Sequence, residues 1–239
     1  MTHYLLVHGA WHGGWCWGRV RQRLTAQGHQ VFTPTLTGLA DRSHLLSREV
    51  GLETHVQDVA NLITWENLSD VVLVGHSYAG TVVRHVADRM PDRIRSLVYL
   101  DAFVPENGKS VSDYAPDGGE GHRKLAQMYG EGWKIPPPIP AAVFRVNAAD
   151  AVWVDSQCTM HPLSTIETPA QLTGACDRVA NIGYIRASGF TGPFMQFDMK
   201  AAERGWWRES LPCGHDIMLD IPDELTALLL RRCEILPQA

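Results

Sequence analysis

The chain is poor in the residues that would cross-link or anchor it. Its five cysteines, Cys16, Cys158, Cys176, Cys213 and Cys233, are odd in number and include no C-x-x-C pair, so neither a disulfide framework nor a cysteine-based zinc site is expected. Reduced thiols in a cytoplasmic protein are the simplest expectation. Long apolar runs are also missing. The first one, Tyr4-Leu5-Leu6-Val7, breaks at His8 with no basic stretch before it, which fits neither a secretion signal nor a membrane-spanning helix. Positive charge is scarce and scattered: 21 Lys and Arg stand against 26 Asp and Glu, for a formal charge of -5 and a pI near 6.1. That leaves no patch for nucleic acid or an anionic membrane surface. No segment repeats, and low complexity is limited to Pro136-Pro137-Pro138-Ile139-Pro140.

What remains is an ordinary globular composition, 45% apolar and 20% charged over 239 residues, enough for one sizeable core. Short apolar runs alternate with longer amphipathic ones, the pattern of an α/β fold with a mainly parallel sheet and helices on both faces. Strands are expected at Tyr4 to Val7, Gln30 to Thr33, Val71 to Val74, Ile94 to Val104, Val179 to Ala187 and Trp206 to Leu211. Helices are expected at Trp17 to Gln27, Leu52 to Trp65, Ala79 to Met90 and Asp223 to Cys233. Residues 35 to 50 read as a loop. The stretch from about 106 to 175, rich in Gly and Pro, reads as a cap or lid inserted into a single domain of residues 1–239.

The sharpest motif is Gly75-His76-Ser77-Tyr78-Ala79-Gly80, a serine in a tight turn between a strand and a helix. Small neighbours let the backbone fold back on itself there and lift the hydroxyl above the sheet, as a nucleophile elbow requires. The usual pattern has glycine two residues after the serine; here Ala79 stands there and Gly80 follows. A serine capping an ordinary strand-to-helix turn is the bland alternative. A serine nucleophile needs a base, expected late in the chain in this topology. Of the 11 histidines, His215 is the one in a loop between the last strand and the last helix. His122 and His161 suit surface or substrate roles equally well, and His76 suits packing behind the elbow. An oxyanion needs two backbone donors: the N–H of Tyr78 and, from the glycine-rich loop after the first strand, that of Ala10 are the candidates.

The segments V-H-G-A-W-H-G-G-W, G-H-S-Y-A-G, L-D-A-F-V-P and G-H-D-I-M-L together resemble the α/β-hydrolase subfamily that holds plant methyl esterases, hydroxynitrile lyases and related bacterial esterases. The resemblance covers most of the chain outside the insertion and implies the α/β-hydrolase fold with serine hydrolase chemistry. The lyases of that group carry Thr and Lys where this chain has Gly9 and Asp216, so the resemblance favours ester hydrolysis. In the resembling esterases the third catalytic member, an Asp, follows the strand placed here at Val179 to Ala187; this chain has Phe190 at the matching place. Another carboxylate must then hold the imidazole. Glu106, just after Leu100-Asp101-Ala102-Phe103-Val104-Pro105, is the first candidate, because some haloalkane dehalogenases of this fold draw their acid from a similar place. Asp198 and then Asp101 follow.

The expected function is a serine esterase acting through an acyl-enzyme on Ser77, with His215 and Glu106, no metal and no organic cofactor. Trp11, Trp133, Phe144, Trp153, Phe190 and Phe194 suggest an aromatic pocket for an aryl or bulky ester, with Trp11, Trp133 and Phe190 the leading choices, although any aromatic can equally be core. A hydroxynitrile lyase, a carbon–carbon hydrolase and a non-catalytic small-molecule receptor stay as alternatives. The partner implied is a small-molecule ester, and a homodimer stays open.

Overall fold

The computed structural model describes residues 1–138 and 141–233; Ile139 and Pro140 of the proline run lie outside the described residues. In chain order the strands are β1 (His3–Val7), β2 (Gln30–Phe32), β3 (Val71–His76), β4 (Ile94–Leu100), β5 (Lys134–Ile135), β6 (His161–Pro162), β7 (Asn181–Ala187) and β8 (Trp207–Leu211). Six of them form one parallel sheet in the order β2-β1-β3-β4-β7-β8, and β5 and β6 form a separate antiparallel pair. The helices are α1 (Gly18–Ala26), α2 (Leu52–Trp65), α3 (Ala79–Arg89), α4 (Glu120–Tyr129), α5 (Ala151–Gln157), α6 (Leu163–Glu167), α7 (Met195–Glu203), α8 (Ile217–Asp220) and α9 (Pro222–Cys233).

The alternation of side chains along each strand divides the core in two. Leu5, Val7, Leu73, Leu97, Tyr99 and Tyr184 face α2, α3 and α7 through Val56, Val59, Val82, Val86 and Phe197. Tyr4, Leu6, Val72, Val74, Val98 and Ile185 face α1 and α9 through Val20, Leu24, Leu225 and Leu229. Val71 to Val74 are all fully buried, each contributing roughly 1.5–3 kcal/mol relative to an exposed side chain. Their continuous apolar run is what a central parallel strand, covered on both faces, demands.

Chain order reverses between β1 and β3: β2 lies to one side of β1, and every later strand of the sheet lies to the other. In open parallel sheets the crevice outside the strand ends at such a reversal is where ligands bind. The loop after β1 and the turn after β3 both open there.

The segment between β4 and β7 is more ordered than its Gly and Pro content suggests, carrying α4 to α6 and the β5–β6 pair. Its return to the sheet is clamped by Asp88 near the end of α3. Oδ2 accepts the N–H and hydroxyl of Thr173, and Oδ1 accepts the N–H of Cys176. Among the described residues no helix is long and apolar enough to cross a membrane. Asp88→Ala strips three donors of a charged acceptor and should lower stability by about 3 kcal/mol, read as a fall in the urea midpoint; an unchanged midpoint contradicts the clamp.

Candidate active site

Ser77 sits at φ +55 directly after β3, a left-handed conformation that costs a non-glycine residue about 1–2 kcal/mol. The surrounding backbone holds it there. The Ser77 N–H donates to Leu100 O at 3.2 Å, and Ser77 O accepts from Phe103 N–H at 3.1 Å and Gly80 N–H at 3.1 Å. The displaced glycine of the elbow has a steric explanation. A Cβ on Gly80 would lie 2.1 Å from Phe103 O, whereas the methyl of Ala79 is accommodated in the core. The tight contact in this turn falls one residue later than in the usual pattern. Gly9, on the loop after β1, is needed for the same reason, since its Cβ would lie 2.9 Å from that of Ser77.

His215 is fixed from every side. Its N–H donates to Phe144 O at 2.8 Å, its carbonyl accepts from His76 Nε2 at 3.0 Å, and its ring stacks on Phe194 and Phe190, 4.9 and 4.8 Å between centroids. Its Nδ1 donates to Asp101 Oδ2 at 2.6 Å. Asp101 is 1% exposed and follows β4 with φ +41. Its N–H is held by Ile185 O at 2.7 Å, and its Oδ1 accepts Ala187 N–H at 3.2 Å. The carboxylate is thus pinned across the β4–β7 seam, aimed at the imidazole, which leaves Nε2 as the free nitrogen.

The expectation that Glu106 holds the imidazole is corrected. Glu106 is half exposed and pairs with Lys200 at 2.7 Å, and that ammonium holds its carboxyl below the usual carboxylate range. Asp198, the second candidate, is taken by Arg208. Asp101, the third candidate, takes the place: the strand expected as far as Val104 stops at Leu100, so Asp101 stands at the strand end and not inside it. Phe190, at the place where the resembling esterases carry their acid, covers one face of the His215 ring instead.

Ser77 and His215 share one cavity of about 190 Å³ with Ala10, Trp11, Tyr78, Phe103, Phe144, Phe190 and Phe194 among its walls. Trp133 is not part of it; its ring lies beside Arg48 and Lys134. Trp153 packs edge-on against Trp15 instead. A wider cleft of about 610 Å³ beside Trp15, Arg21 and Ser156 holds neither Ser77 nor His215. Among the described residues no group of three or more His, Cys, Asp or Glu side chains is arranged to hold a metal ion.

Several histidines are buried around the site: His76 is packed behind the elbow as expected and His161 is fully buried, not on the surface, while His8, His12 and His55 carry no spacing signal by which the sequence could mark them. Their partners fix their protonation. His8 Nε2 accepts Leu36 N–H at 3.0 Å, so its Nδ1 donates to Gly9 O at 2.8 Å; burial lowers its pKa to about 3. His55 Nε2 donates to Thr37 O at 2.9 Å, and its Nδ1 accepts the Tyr78 hydroxyl at 2.9 Å, with burial lowering its pKa to about 4. His161 accepts Trp11 N–H at Nδ1, 3.4 Å, and bonds Thr165 Oγ1 at Nε2, 2.7 Å. That bond and the one from the Trp11 indole to Ile135 O help hold Trp11 at φ +64. Burial drives His161 and His76 well below the usual histidine range, with the neighbouring His215 adding to the shift at His76.

His12 is the exception. Both of its ring nitrogens face acceptors, Ala10 O at 2.8 Å and Asp216 Oδ2 at 3.0 Å, which satisfies an imidazolium and not a neutral ring. Burial opposes the charge, but the Asp216 carboxylate outweighs it and raises His12 above its ordinary value. Asp216 is itself depressed: burial works against its charge, and His12 more than compensates.

Residues 4–228 match the alpha/beta hydrolase family. A carbendazim hydrolyzing esterase of Nocardioides sp. (strain SG-4G) is 43% identical over 242 residues, 96% of this chain and 98% of that protein. Methylesterase 2 of Arabidopsis thaliana is 37% identical over 112 residues, 46% of this chain and 43% of the plant protein. Among solved structures, an extracellular alpha/beta-hydrolase from a Paenibacillus species, described as a structural and functional homologue of tobacco salicylic acid binding protein 2, superposes with a TM-score of 0.87 at 23% identity. The match covers 98% of this chain and 100% of that one.

The buried imidazoles make stability pH-dependent. His8, His55, His76 and His161 are neutral when folded and bind protons on unfolding below about pH 6.5, so their contribution is lost as the pH falls from there. His12 acts in the opposite sense, its contribution being complete below about 6.5 and lost as the pH rises through its raised value. With His85 and His122 shifted the same way by burial, six such histidines stand against His12, and at up to about 1.4 kcal/mol per pH unit each stability should fall by about 5 kcal/mol or more between pH 7 and pH 5. Urea titrations at the two pH values check this, and equal midpoints contradict it.

Proposed function

Since the chain belongs to the alpha/beta hydrolase family and is an ester hydrolase, we propose that Ser77, His215 and Asp101 carry out its reaction through an acyl-enzyme. His215 Nε2 takes the proton from Ser77 Oγ as the oxygen adds to the ester carbonyl, and Asp101 keeps the ring in the tautomer that frees Nε2 and stabilises the imidazolium. The tetrahedral oxyanion is held by the N–H groups of Ala10 and Tyr78. His215 then passes its proton to the leaving alkoxide oxygen, and the C–O bond breaks to release alcohol. Water, deprotonated by the same nitrogen, adds to the acyl-enzyme and frees the acid and Ser77. The observation that carries this reading is that Ser77 and His215 line one cavity while Asp101 occupies His215 Nδ1 at 2.6 Å.

Ala10 as a donor has support in the network beneath it. The peptide whose N–H belongs to Ala10 has its carbonyl, Gly9 O, bonded by His8 Nδ1. Drawing charge toward that oxygen makes the N–H a better donor, since linked hydrogen bonds polarise one another. Ester hydrolysis is favoured over cyanohydrin cleavage by Asp216, which is fully buried on His12 and brings no cation to the cavity.

For the substrate we infer an ester of a small alcohol, of the methyl type, with a flat aromatic acyl part. Aromatic walls from Trp11, Phe103, Phe144, Phe190 and Phe194 and the confined volume support this, as do the carbendazim-hydrolyzing and methylesterase relatives. The segment of about 106–175 serves as a cap, contributing His122, Phe144 and Ile166 to the same walls. The five free thiols support a reducing, cytoplasmic setting.

A panel of methyl aryl esters, methyl alkanoates and carbendazim tests both parts. The wild type should turn over aryl esters best, and Ser77→Ala should lose at least about 10⁴-fold in kcat/KM. Undiminished hydrolysis by Ser77→Ala removes the nucleophile, and reaction of acetate-sized acyl groups alone removes the aromatic pocket.

A further inference from the structure

Next to the 190 Å³ cavity of Ser77 lies a second one of about 370 Å³. Phe103, Val111, His122 and Pro193 line both, and Ala115, Pro116, Thr191 and Gly192 add to the outer one. A substrate with its carbonyl at Ser77 and too large for the inner space must pass this waist. Three of the four shared residues are apolar. The fourth, His122 on α4, is not.

Every other polar side chain around the inner cavity is accounted for. The Trp11 indole N–H goes to Ile135 O, the Tyr78 hydroxyl to His55, and His215 Nδ1 to Asp101. Ser77 and the Nε2 of His215 belong to the reaction proposed above. Among the described residues the buried His122 Nδ1 has no hydrogen-bond partner; the ring lies beside Trp11, 6.3 Å away between centroids. The charged groups nearest to it in the chain are engaged elsewhere. Arg123 bonds Glu167, and Asp117 accepts the N–H groups of Gly119 and Gly121. Other buried polar atoms of the described residues also lack a partner, Trp17 Nε1 and Thr81 Oγ1 among them; His122 differs from them in lining both cavities, where a substrate can supply the missing partner.

Resting on the esterase reading above, we propose that His122 is a specificity-determining residue. It hydrogen-bonds a neutral polar group, a ring N–H or ring nitrogen, on a planar heteroaromatic acyl part that spans the two cavities. A neutral imidazole has one donor and one acceptor and adjusts its tautomer to either kind of partner. Burial pushes its pKa down, so the ring meets the substrate uncharged and offers a carboxylate no ion pair. Carbon isosteres of the same shape leave the imidazole unpaired, and discrimination of about 10- to 100-fold follows from that loss.

Two matched pairs read this out: methyl quinoline-6-carboxylate against methyl 2-naphthoate, and methyl indole-6-carboxylate against methyl indene-6-carboxylate. In the wild type, kcat/KM should favour the heteroaromatic member of at least one pair by about 10- to 100-fold. His122→Leu should bring that ratio to near 1, and His122→Asn or His122→Gln should restore part of it. A general disturbance of the cavity slows both members alike and leaves the ratio standing. Equal rates within both pairs in the wild type, or a ratio preserved in His122→Leu, overturn the role of His122. The wild-type ratio decides even if the leucine variant does not fold. Failure of the wild type to hydrolyse any of the four, or their hydrolysis by Ser77→Ala, strikes at the Ser77 reading itself and takes this inference with it.

Discussion

The 2.6 Å hydrogen bond from His215 Nδ1 to Asp101 Oδ2 joins loops 114 residues apart, and the rest of the site is arranged around it. It determines which nitrogen of the imidazole is free, and that decides whether the ring can take a proton from an alcohol at all. Asp101 achieves this by leaving β4 at positive φ, just as Ser77 leaves β3 at positive φ on the adjacent strand. The two bends are supported in the same way, each by a carbonyl of the next strand: Leu100 O holds the Ser77 N–H, and Ile185 O holds that of Asp101. Backbone strain at both residues is therefore offset by the ends of the parallel sheet, the most buried part of the molecule.

Around this contact the protein surrounds Ser77 and His215 with imidazoles of fixed charge. Four are uncharged because burial forbids the cation and each has a partner for at least one ring nitrogen. One, His12, is charged because Asp216 is its partner. These side chains hold backbone and side-chain groups of the loops that frame the cavity: His8 on Gly9, His55 on Tyr78, His76 on the carbonyl of His215, His161 on Trp11. The site owes its rigidity to polar contacts beneath it, while its cavity presents mainly aromatic surface.

The sheet, its principal helices and the elbow were legible in the sequence because each is a local signal. Val71 to Val74 is an apolar run, Leu52 to Trp65 has helical spacing, and Gly75, Ser77 and Gly80 mark a turn that few other structures need. The geometry also brings Ser77 and His215 to one cavity. The carboxylate was harder to read, since Asp101 and Glu106 differ by only a few residues and the choice depended on where β4 stops. Nothing local marks Leu100 as the end, because Ala102 and Val104 continue the apolar pattern beyond it. The bend at Asp101 is held by a strand distant in sequence, β7, whose Ile185 O receives its N–H. Trp133 and Trp153 went astray for a related reason: aromatic character says that a ring will be covered, but not by what. The histidine partnerships span 18 to 150 residues in several cases and exist only in the folded chain.

The imidazole's orientation by Asp101 is best tested through the reactivity of Ser77 toward a fluorophosphonate, which needs an activated nucleophile but no fit to a particular ester. Labelling rates should be measured for the wild type, Asp101→Asn and Glu106→Gln by intact mass. Labelling slowed by about 10³- to 10⁴-fold in Asp101→Asn, with Glu106→Gln at the wild-type rate, is the predicted result. Equal labelling of Asp101→Asn and wild type, or a comparable loss in Glu106→Gln, contradicts it.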